Sequence, residues 1–266
     1  MVCYSLFSGS SGNAIYLKRN GTEILVDAGG SIRQIAAALA SCGTSIEKIS
    51  AVFVTHEHVD HTRGIGMLAK RFRLPVFCQT AVAKELYYDA LRKDRKDEAD
   101  ALARTIRTVE PGEEYEWGDF VLTPFATPHD SVASEGFLIG DREIGIATDL
   151  GCVTAEVRRA LTGCRSVILE SNYDREMLLG GIYPPHLKAR VSSDRGHLDN
   201  ADCAAFLPDL LQSGTENFTL FHLSKENNTP DLARSASLAK LEEAGAREGG
   251  DFSLRCAARF EVTKIL

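Results

Sequence analysis

The segment Thr55-His56-Glu57-His58-Val59-Asp60-His61 carries three histidines and one aspartate within six residues, directly after the apolar run 51–54. A lone histidine is usually a core or surface residue. Four such side chains crowded at a strand end are typical of a metal site, because imidazole and carboxylate are ligands that zinc-class metals prefer. The spacing differs from that of a helix-borne His-x-x-x-His pair. We therefore predict a strand-to-loop cluster that serves two neighbouring metal ions.

Polar residues also follow three later apolar runs that are predicted strands. His129 comes after a strand ending at Phe125, Asp149 follows the run 144–147, and His222 follows the run 218–221. Each residue alone could be an ordinary loop residue. Taken with the first cluster, they add two histidines and a carboxylate able to bridge two metals, as a binuclear site requires.

The rest of the pattern predicts a mixed α/β chain. Asn20-Gly21 is a strong hairpin signal, and Ser31 precedes apolar residues at helical spacing. The charged region 80–107 is predicted to be helical with a solvated face, and a last strand is predicted near 260–262. Two halves, each opening with hairpin strands and continuing with strand–helix units, indicate a four-layer αββα sandwich. No linker divides them, so one domain spanning residues 1–266 is predicted.

Composition limits the classes of protein that fit. The chain has 266 residues, 44% hydrophobic, a net charge of −7 and seven scattered cysteines, which is typical of a globular protein with free thiols. No signal peptide or membrane-spanning run is visible at the sequence level, so a cytoplasmic location without membrane association is expected. The negative charge disfavours a broad nucleic-acid surface, but carboxylates that hold cations also contribute to it.

The His-x-His-x-Asp-His pattern resembles the signature of the metallo-β-lactamase superfamily, and the resemblance covers essentially the whole chain. It implies the αββα fold of that superfamily and a binuclear site with the ligand set His56, His58 and His129 for one metal, Asp60, His61 and His222 for the other, and Asp149 bridging. By the same resemblance, Asp27 lies outside the ligand set and accepts an imidazole N–H from one ligand, fixing its tautomer.

Four shorter stretches resemble the YycJ (WalJ) group, which is similar to ribonuclease Z and to the phosphodiesterase PhnP. They are Ser8-Gly9-Ser10-Ser11-Gly12-Asn13, Glu170-Ser171-Asn172-Tyr173-Asp174, the segment 183–198 with Ser193-Asp194-Arg195-Gly196-His197-Leu198, and His222-Leu223-Ser224-Lys225-Glu226-Asn227-Asn228. One departure is His186, where an aromatic residue is expected, and we interpret it as a surface histidine. The group implies phosphodiester hydrolysis by a DNA exonuclease that uses a metal-bridging hydroxide, with DNA favoured over RNA.

Catalytic roles follow from this resemblance. Asp60 would bind metal and orient the attacking water, and His197 would protonate the leaving oxygen, because a histidine near neutral pKa suits proton donation. His197 could instead be an exposed loop histidine, and the loop 8–13 a plain hairpin connection. The residues predicted to contact substrate are Ser10, Ser11, Asn13, Lys188, Arg195 and Lys225.

The expected cofactors are two divalent metal ions, with Zn²⁺ as the leading candidate and Mn²⁺ or Fe²⁺ as alternatives, since such ligands accept all three. The alternative function is a thioester or lactone hydrolase of the glyoxalase II type on the same fold, and His197 separates the two. A β-lactamase is disfavoured because Asp149 occupies a bridging position. A partner-binding module with a relic site would have lost ligands, and none is lost. The oligomeric state stays open.

Overall fold

Two compact units share the chain in the computed structural model, which describes residues 1–266. Unit 1 comprises Met1–Phe120, Ser131–Ala133 and Ala258–Leu266, and unit 2 comprises Val121–Asp130 and Ser134–Ala257. The expectation of a single domain spanning residues 1–266 stays a prediction.

Unit 1 contains one mixed sheet with the strand order β14-β1-β2-β3-β4-β5-β6. Its strands are β1 Val2–Phe7, β2 Ala14–Arg19, β3 Thr22–Val26, β4 Ala51–Phe53, β5 Val76–Cys78, β6 Ile106–Thr108 and β14 Thr263–Lys264, and β7 Tyr115–Trp117 follows β6 in the chain. Its helices are α1 Ile32–Ser41, α2 Val59–Thr62, α3 Ile65–Phe72, α4 Thr80–Arg92 and α5 Lys96–Thr105, with a 3₁₀ turn at Ile46–Lys48. Neighbours from β14 to β3 are antiparallel, and those from β3 to β6 are parallel.

Local sequence explains these elements. Ser31 caps α1 in a capping box with Gln34, which satisfies two of the helix's first backbone N–H groups. Asn20 adopts a φ of 46° between β2 and β3, the left-handed conformation that asparagine tolerates in a tight turn. All three residues of β4 are buried, as expected for a parallel strand covered on both faces.

The second mixed sheet has the strand order β13-β12-β11-β10-β9-β8-β7. Unit 2 contributes the strands from β13 to β8. Its strands are β8 Phe120–Ala126, β9 Glu135–Ile139, β10 Ile144–Ala147, β11 Ser166–Glu170, β12 Asn217–Phe221 and β13 Ser253–Cys256. Its helices are α6 Ala155–Leu161, α7 Arg175–Gly180, α8 Pro185–Val191, α9 Asn200–Gln212 and α10 Pro230–Glu243. Pairing is antiparallel from β8 to β10 and parallel from β10 to β13.

The predicted fold class is confirmed, since the chain forms two mixed sheets flanked by helices. The charged region 80–107 forms two helices and the start of β6, and Asp94 turns the chain with a φ of 53° between α4 and α5. The strand predicted near 260–262 is wrong. The chain forms β13 and β14 on either side of that run, and Phe260 is 66% exposed, so its apolar character reflects no buried strand face.

Two expectations from composition can be compared with the structure. All seven cysteines are free in the structure. None of the helices has the length and apolar character needed to span a bilayer.

Candidate metal centre

The metal-binding motif of unit 1 lies where the chain leaves the carboxyl end of β4. The His56 ring centroid is 4.6 Å from that of His58 and 4.2 Å from that of His61, so three imidazoles converge. The predicted strand-to-loop geometry holds for the two first histidines, whereas Asp60 and His61 lie in the short helix α2. His56 and His61 are fully buried and Asp60 is partly exposed.

Asp27 directly follows β3 and holds this cluster in place through hydrogen bonds. Its Oδ2 accepts a hydrogen bond from His61 Nδ1 at 2.7 Å, and Oδ1 accepts from the Thr55 amide at 2.8 Å. The Thr55 hydroxyl also donates to Asp27 and lies 3.0 Å from His56 Nδ1. Because a carboxylate can only accept, His61 carries its proton on Nδ1 and presents the lone pair of Nε2 to a metal.

The loop 8–13 reaches the same cluster through Asn13. This side chain is buried, with Nδ2 at 2.9 Å from His61 Nε2 and 3.4 Å from Asp60 Oδ2, and its amide donates to the Asp60 carbonyl. The Gly9 amide donates to Asn13 Oδ1 at 2.7 Å, which fixes the orientation of the amide group. The loop 8–13 therefore supports Asp60 and His61 directly. Ser10 is exposed and Ser11 half-buried.

The second cluster lies in unit 2, where Asp149 follows β10 and His222 follows β12. Because β10, β11 and β12 are parallel neighbours, their carboxyl ends meet at one edge of the sheet. His222 Nδ1 is 3.5 Å from Asp149 Oδ1, and His129 Nε2 is 3.8 Å from the same oxygen. His129 donates from Nδ1 to the Gly196 carbonyl at 2.9 Å, which directs its Nε2 towards Asp149.

Glu170, the last residue of β11, is the centre of this second cluster. It is fully buried, and its Oε1 lies 2.7 Å from His197 Nδ1 and 2.9 Å from His222 Nδ1. Its Oε2 accepts the backbone amides of Leu150 and Leu198, the residues that follow Asp149 and His197. Ligand atoms of Asp149, Glu170, His197 and His222 all lie within 4.8 Å of one another. One carboxylate thus positions both imidazoles and both backbone segments.

The charges in this cluster shift its pKa values. Burial acts to raise the pKa of Glu170, but the charge and hydrogen bond of His197 and the hydrogen bond of His222 outweigh it and lower the pKa. Burial acts to lower the pKa of His197, and the Glu170 carboxylate, with help from Asp149, raises it. Burial lowers the pKa of His129. In the absence of metal, His197 therefore holds its proton more firmly than an ordinary histidine.

Three of these residues adopt an unusual backbone conformation. Asp27, Asp149 and His222 have φ angles of 62°, 56° and 56°. Each directly follows a parallel strand, or follows it after one intervening residue. The left-handed region is uncommon for residues with a side chain, and such strain clusters at functional sites. In each case the conformation turns the side chain at the carboxyl end of a strand within its own sheet.

The donor chemistry fits divalent metal ions. In unit 1, a hydrogen bond to a carboxylate fixes the proton of His61 on Nδ1. In unit 2, hydrogen bonds to a carbonyl and to a carboxylate do the same for His129 and His222, so Nε2 of each ring keeps its lone pair. An imidazole held in this way is the usual arrangement of a metal ligand. Mixed nitrogen and carboxylate donors suit zinc, manganese and iron.

The comparisons with known proteins agree with this chemistry. A model of the Beta-lactamase superfamily domain matches residues 22–222. The chain belongs to the metallo-β-lactamase superfamily. Within this superfamily it is 34% identical over 264 residues to exodeoxyribonuclease YycJ of Bacillus anthracis, covering 98% of this chain and 96% of that protein. The predicted YycJ (WalJ) group is thereby confirmed, as is the predicted class of a metal-dependent hydrolase.

Solved structures of the superfamily share the fold at low sequence identity. Zn²⁺-bound PqqB from Methylobacterium extorquens matches with a TM-score of 0.70 and 16% identity, covering 99% of both chains. The short form of human tRNase Z matches with a TM-score of 0.65 and 15% identity, covering 100% of both chains. These matches establish the metallo-β-lactamase fold for this chain.

The three basic residues that are predicted to contact substrate all have partners within the chain. Arg195 donates from Nε and Nη2 to the His129 carbonyl at 3.1 and 2.8 Å, and Lys188 Nζ donates to the Leu179 carbonyl at 2.6 Å. Lys225 is largely exposed and lies 3.4 Å from Glu226. His186 is exposed on α8, as its interpretation as a surface histidine requires.

Sequence reasoning assigned no role to Glu170, Asn172 or Thr55. Asn172 Nδ2 donates to the His222 carbonyl at 2.8 Å, and Thr55 connects Asp27 to His56. The sequence does carry a signal for Glu170. It comes directly after the apolar run 167–169, in the same way that Asp149 and His222 come after apolar runs. The roles of Asn172 and Thr55 depend on hydrogen bonds that no linear pattern encodes.

Proposed function

We propose that this chain is a binuclear-metal-dependent phosphodiesterase whose substrate is DNA, and that it acts as an exonuclease. The observation that carries the proposal is the pair formed by Glu170 and His197. His197 is 21% exposed, whereas Glu170, His129 and His222 are buried, so among the imidazoles of the second cluster His197 is the one that a substrate can reach. A partly exposed, carboxylate-supported histidine beside a metal cluster suits protonation of a leaving alkoxide. The relative YycJ bears the name exodeoxyribonuclease.

The proposal includes the ligand assignment that the family implies. His56, His58 and His129 would hold one metal, and Asp60, His61 and His222 the other, with Asp149 shared between them. Hydrogen bonds that fix the Nδ1 protons of His61, His129 and His222 support this assignment, since each leaves Nε2 as the ligand atom. Zn²⁺ is the leading candidate, and Mn²⁺ and Fe²⁺ are the alternatives.

The chain's own residues divide the remaining work. Two bound divalent ions would lower the pKa of a water molecule and neutralise charge on the phosphate. Asp60, held through its backbone by Asn13, orients the attacking water with its carboxylate. When the His197 ring is neutral, Glu170 keeps its single proton on Nδ1. When the ring is protonated, Nε2 carries the second proton and donates it to the leaving oxygen. Glu170 stabilises the charged imidazolium before that transfer.

The test of substrate class is a nuclease assay on end-labelled single- and double-stranded DNA and RNA, with Zn²⁺, Mn²⁺ and Fe²⁺ supplied in turn. We expect stepwise loss of terminal nucleotides from DNA by the wild type. Asp60→Ala is expected to abolish cleavage of DNA and of bis(p-nitrophenyl) phosphate without unfolding the protein. Thioester hydrolysis without phosphodiester cleavage under any metal would instead establish the alternative function.

The test of His197 uses two leaving groups. An alkoxide needs protonation as it leaves, whereas nitrophenolate leaves readily without it, so general acid help of about 10²–10⁴-fold applies only to DNA. His197→Ala should therefore slow DNA cleavage far more than cleavage of bis(p-nitrophenyl) phosphate. His186→Ala, an exposed histidine on α8, is the matched control and should change neither rate. Equal losses on both substrates would assign His197 to phosphate binding.

A further inference from the structure

A cavity of about 440 Å³ opens beside the metal-binding motif, within unit 1. Helices α2 and α3 form one wall and helices α4 and α5 the other. His58, a proposed metal ligand, lines the cavity together with its neighbours Glu57 and Val59. A group that occupies this cavity therefore lies next to the place where the proposed function puts the scissile phosphate.

The lining is close to neutral in charge. It contains four carboxylates and three cationic side chains, and ion pairs join most of them. Asp89 contacts Lys93 at 2.8 Å and Arg95 at 3.0 Å, and Glu98 contacts Arg95 at 3.0 Å. A phosphate group would favour an excess of cations, and in this cavity the carboxylates outnumber the cations. The cavity suits an uncharged group.

The walls combine apolar surface with the side chain of Glu57. Leu86, Ala90 and Leu102 supply buried aliphatic surface. The Glu57 carboxylate is fixed in place, because Oε1 accepts the Val132 amide at 2.9 Å, and its Oε2 is buried without a hydrogen-bond partner. A buried acceptor without a partner costs free energy that a ligand donor would recover.

We propose that this cavity binds the nucleobase of a nucleotide adjacent to the scissile phosphate, and that Glu57 accepts a hydrogen bond from its exocyclic amino group. A nucleobase is flat, uncharged and apolar on both faces, and a carboxylate pairs well with the amino group of cytosine. The proposal rests on the proposed function for the identity of the substrate. It predicts that bases with an amino group are preferred over thymine.

The first experiment measures nucleoside binding without chemistry. Deoxycytidine and thymidine are titrated onto the wild type and onto Lys93→Trp, which places an indole in the cavity from the end of α4. Lys84→Trp is the matched control, because Lys84 is an exposed lysine on the same helix outside the cavity lining. Saturation-transfer NMR should show deoxycytidine bound by the wild type and by Lys84→Trp, with affinity at least about tenfold lower in Lys93→Trp.

Equal affinity in the two tryptophan variants, or no nucleoside binding by the wild type, would overturn the proposal. Circular dichroism checks that Lys93→Trp is folded. If it is not, Glu57→Gln decides the question, because loss of the acceptor charge should remove the preference for deoxycytidine over thymidine. A preference that survives Glu57→Gln would also overturn the assignment.

A second experiment separates this proposal from the proposed function. Wild-type protein is given DNA strands whose terminal nucleotide either carries cytosine or is abasic. We expect kcat/KM to fall by about tenfold or more for the abasic strand, and that difference to disappear in Lys93→Trp. Equal cleavage of both strands by the wild type would overturn the base subsite and leave the phosphodiesterase intact. Failure to cleave any phosphodiester would overturn the proposed function, and the binding experiment would still decide on the cavity.

Discussion

Arg195 contacts the backbone of His129, a proposed metal ligand. Its guanidinium donates twice to the carbonyl of His129, and the next residue, Gly196, accepts the imidazole N–H of the same histidine. The segment 195–196 therefore holds His129 by its backbone and by its ring. Groups that orient a ligand in this way typically contribute 10–100-fold to metal affinity.

We predict that Arg195→Ala lowers metal affinity by about tenfold while changing the KM for DNA little, because the arginine positions His129. Competition for metal against a chelating dye measures the first quantity, and Arg195→Lys should recover only part of it, since lysine cannot donate in a bidentate fork. Arg165→Ala, which removes an exposed arginine paired with Glu216, is the control. A raised KM with unchanged metal affinity would support the phosphate contact that sequence predicted for Arg195.

This residue shows where prediction from sequence ends. His56, His58, Asp60 and His61 could be assigned because they are adjacent in the chain and share one chemistry. A charged residue such as Arg195 looks like a phosphate ligand in sequence. Its partner in the structure is the carbonyl oxygen of a residue 66 positions away, and no local pattern reveals that contact. The measurements of metal affinity and of KM decide between the two roles.

Gly29 joins two elements of unit 1, the turn after β3 and the helix α2. A Cβ atom at this position would lie 1.7 Å from the Asp60 carbonyl oxygen and 2.5 Å from the Asn13 amide. The backbone of the turn thus packs directly against the backbone of the metal-binding motif. No larger residue fits without moving Asp60.

Gly29→Ala is expected to destabilise the protein by about 1–3 kcal/mol through overpacking and to lower metal content, because the clash is with backbone atoms. Urea denaturation and metal analysis provide the two measurements. Gly21→Ala is the control, since a Cβ there meets no atom within 4 Å. Retention of full metal content in Gly29→Ala would show that the motif tolerates displacement.

Glu23 connects the β2–β3 hairpin to the region after α1. It accepts a hydrogen bond from the Thr44 hydroxyl and pairs with Lys18 at 2.9 Å. Burial acts to raise its pKa, and these hydrogen bonds outweigh burial and lower it. A carboxyl whose pKa is lower in the folded state stabilises the fold above its unfolded pKa, and the effect is lost as pH falls through the folded pKa.

Glu23→Gln should therefore reduce the free energy of unfolding by about 1–2 kcal/mol at pH 7. The difference from wild type should begin to shrink near the unfolded pKa of 4.5 and vanish only once the pH has fallen through the lower pKa of the folded state. Chemical denaturation at a series of pH values measures it. Glu242→Gln, an exposed glutamate on α10, should show no such pH dependence. A constant difference at all pH values would mean that the ionised form of Glu23 is not responsible.

At the scale of elements, sequence predicted the parts with local signals. The Asn20-Gly21 hairpin and the capped helix α1 have such signals, and both are present. Helices α7 and α8 escaped prediction because each is only six or seven residues long, too short for a clear apolar period. Their place depends on packing of Tyr173, Leu178 and Val191 into a small apolar cluster.

For the whole molecule, bound metal should contribute directly to stability. The ligands proposed for the metals come from many separate segments of the chain, so the unfolded chain offers no preformed site. A ligand that binds only the folded state stabilises it by about 2.7 kcal/mol at one hundred times its Kd. At this chain length, such a change corresponds to roughly 5–10 °C in Tm.

We therefore predict that removal of metal by chelation lowers Tm by about that amount, and that added metal restores it in a concentration-dependent way. Differential scanning calorimetry measures the shift. Asp149→Ala, which removes the proposed shared ligand, should show a much smaller response to chelation. An unchanged Tm after complete metal removal would contradict the prediction.

The left-handed backbone of Asp27, Asp149 and His222 has a consequence for the ancestry of related chains. Each of these positions is held in a conformation that glycine adopts without penalty and other residues adopt at a cost of about 1 kcal/mol. Their role in the metal centre opposes replacement by glycine, and so do the hydrogen bonds that they make with Thr55, Thr148 and Glu170. In a lineage that abandons hydrolysis and keeps the scaffold for another purpose, these three positions should drift to glycine or asparagine first. A pseudoenzyme descended from this fold would then be recognisable by small residues at the strand ends.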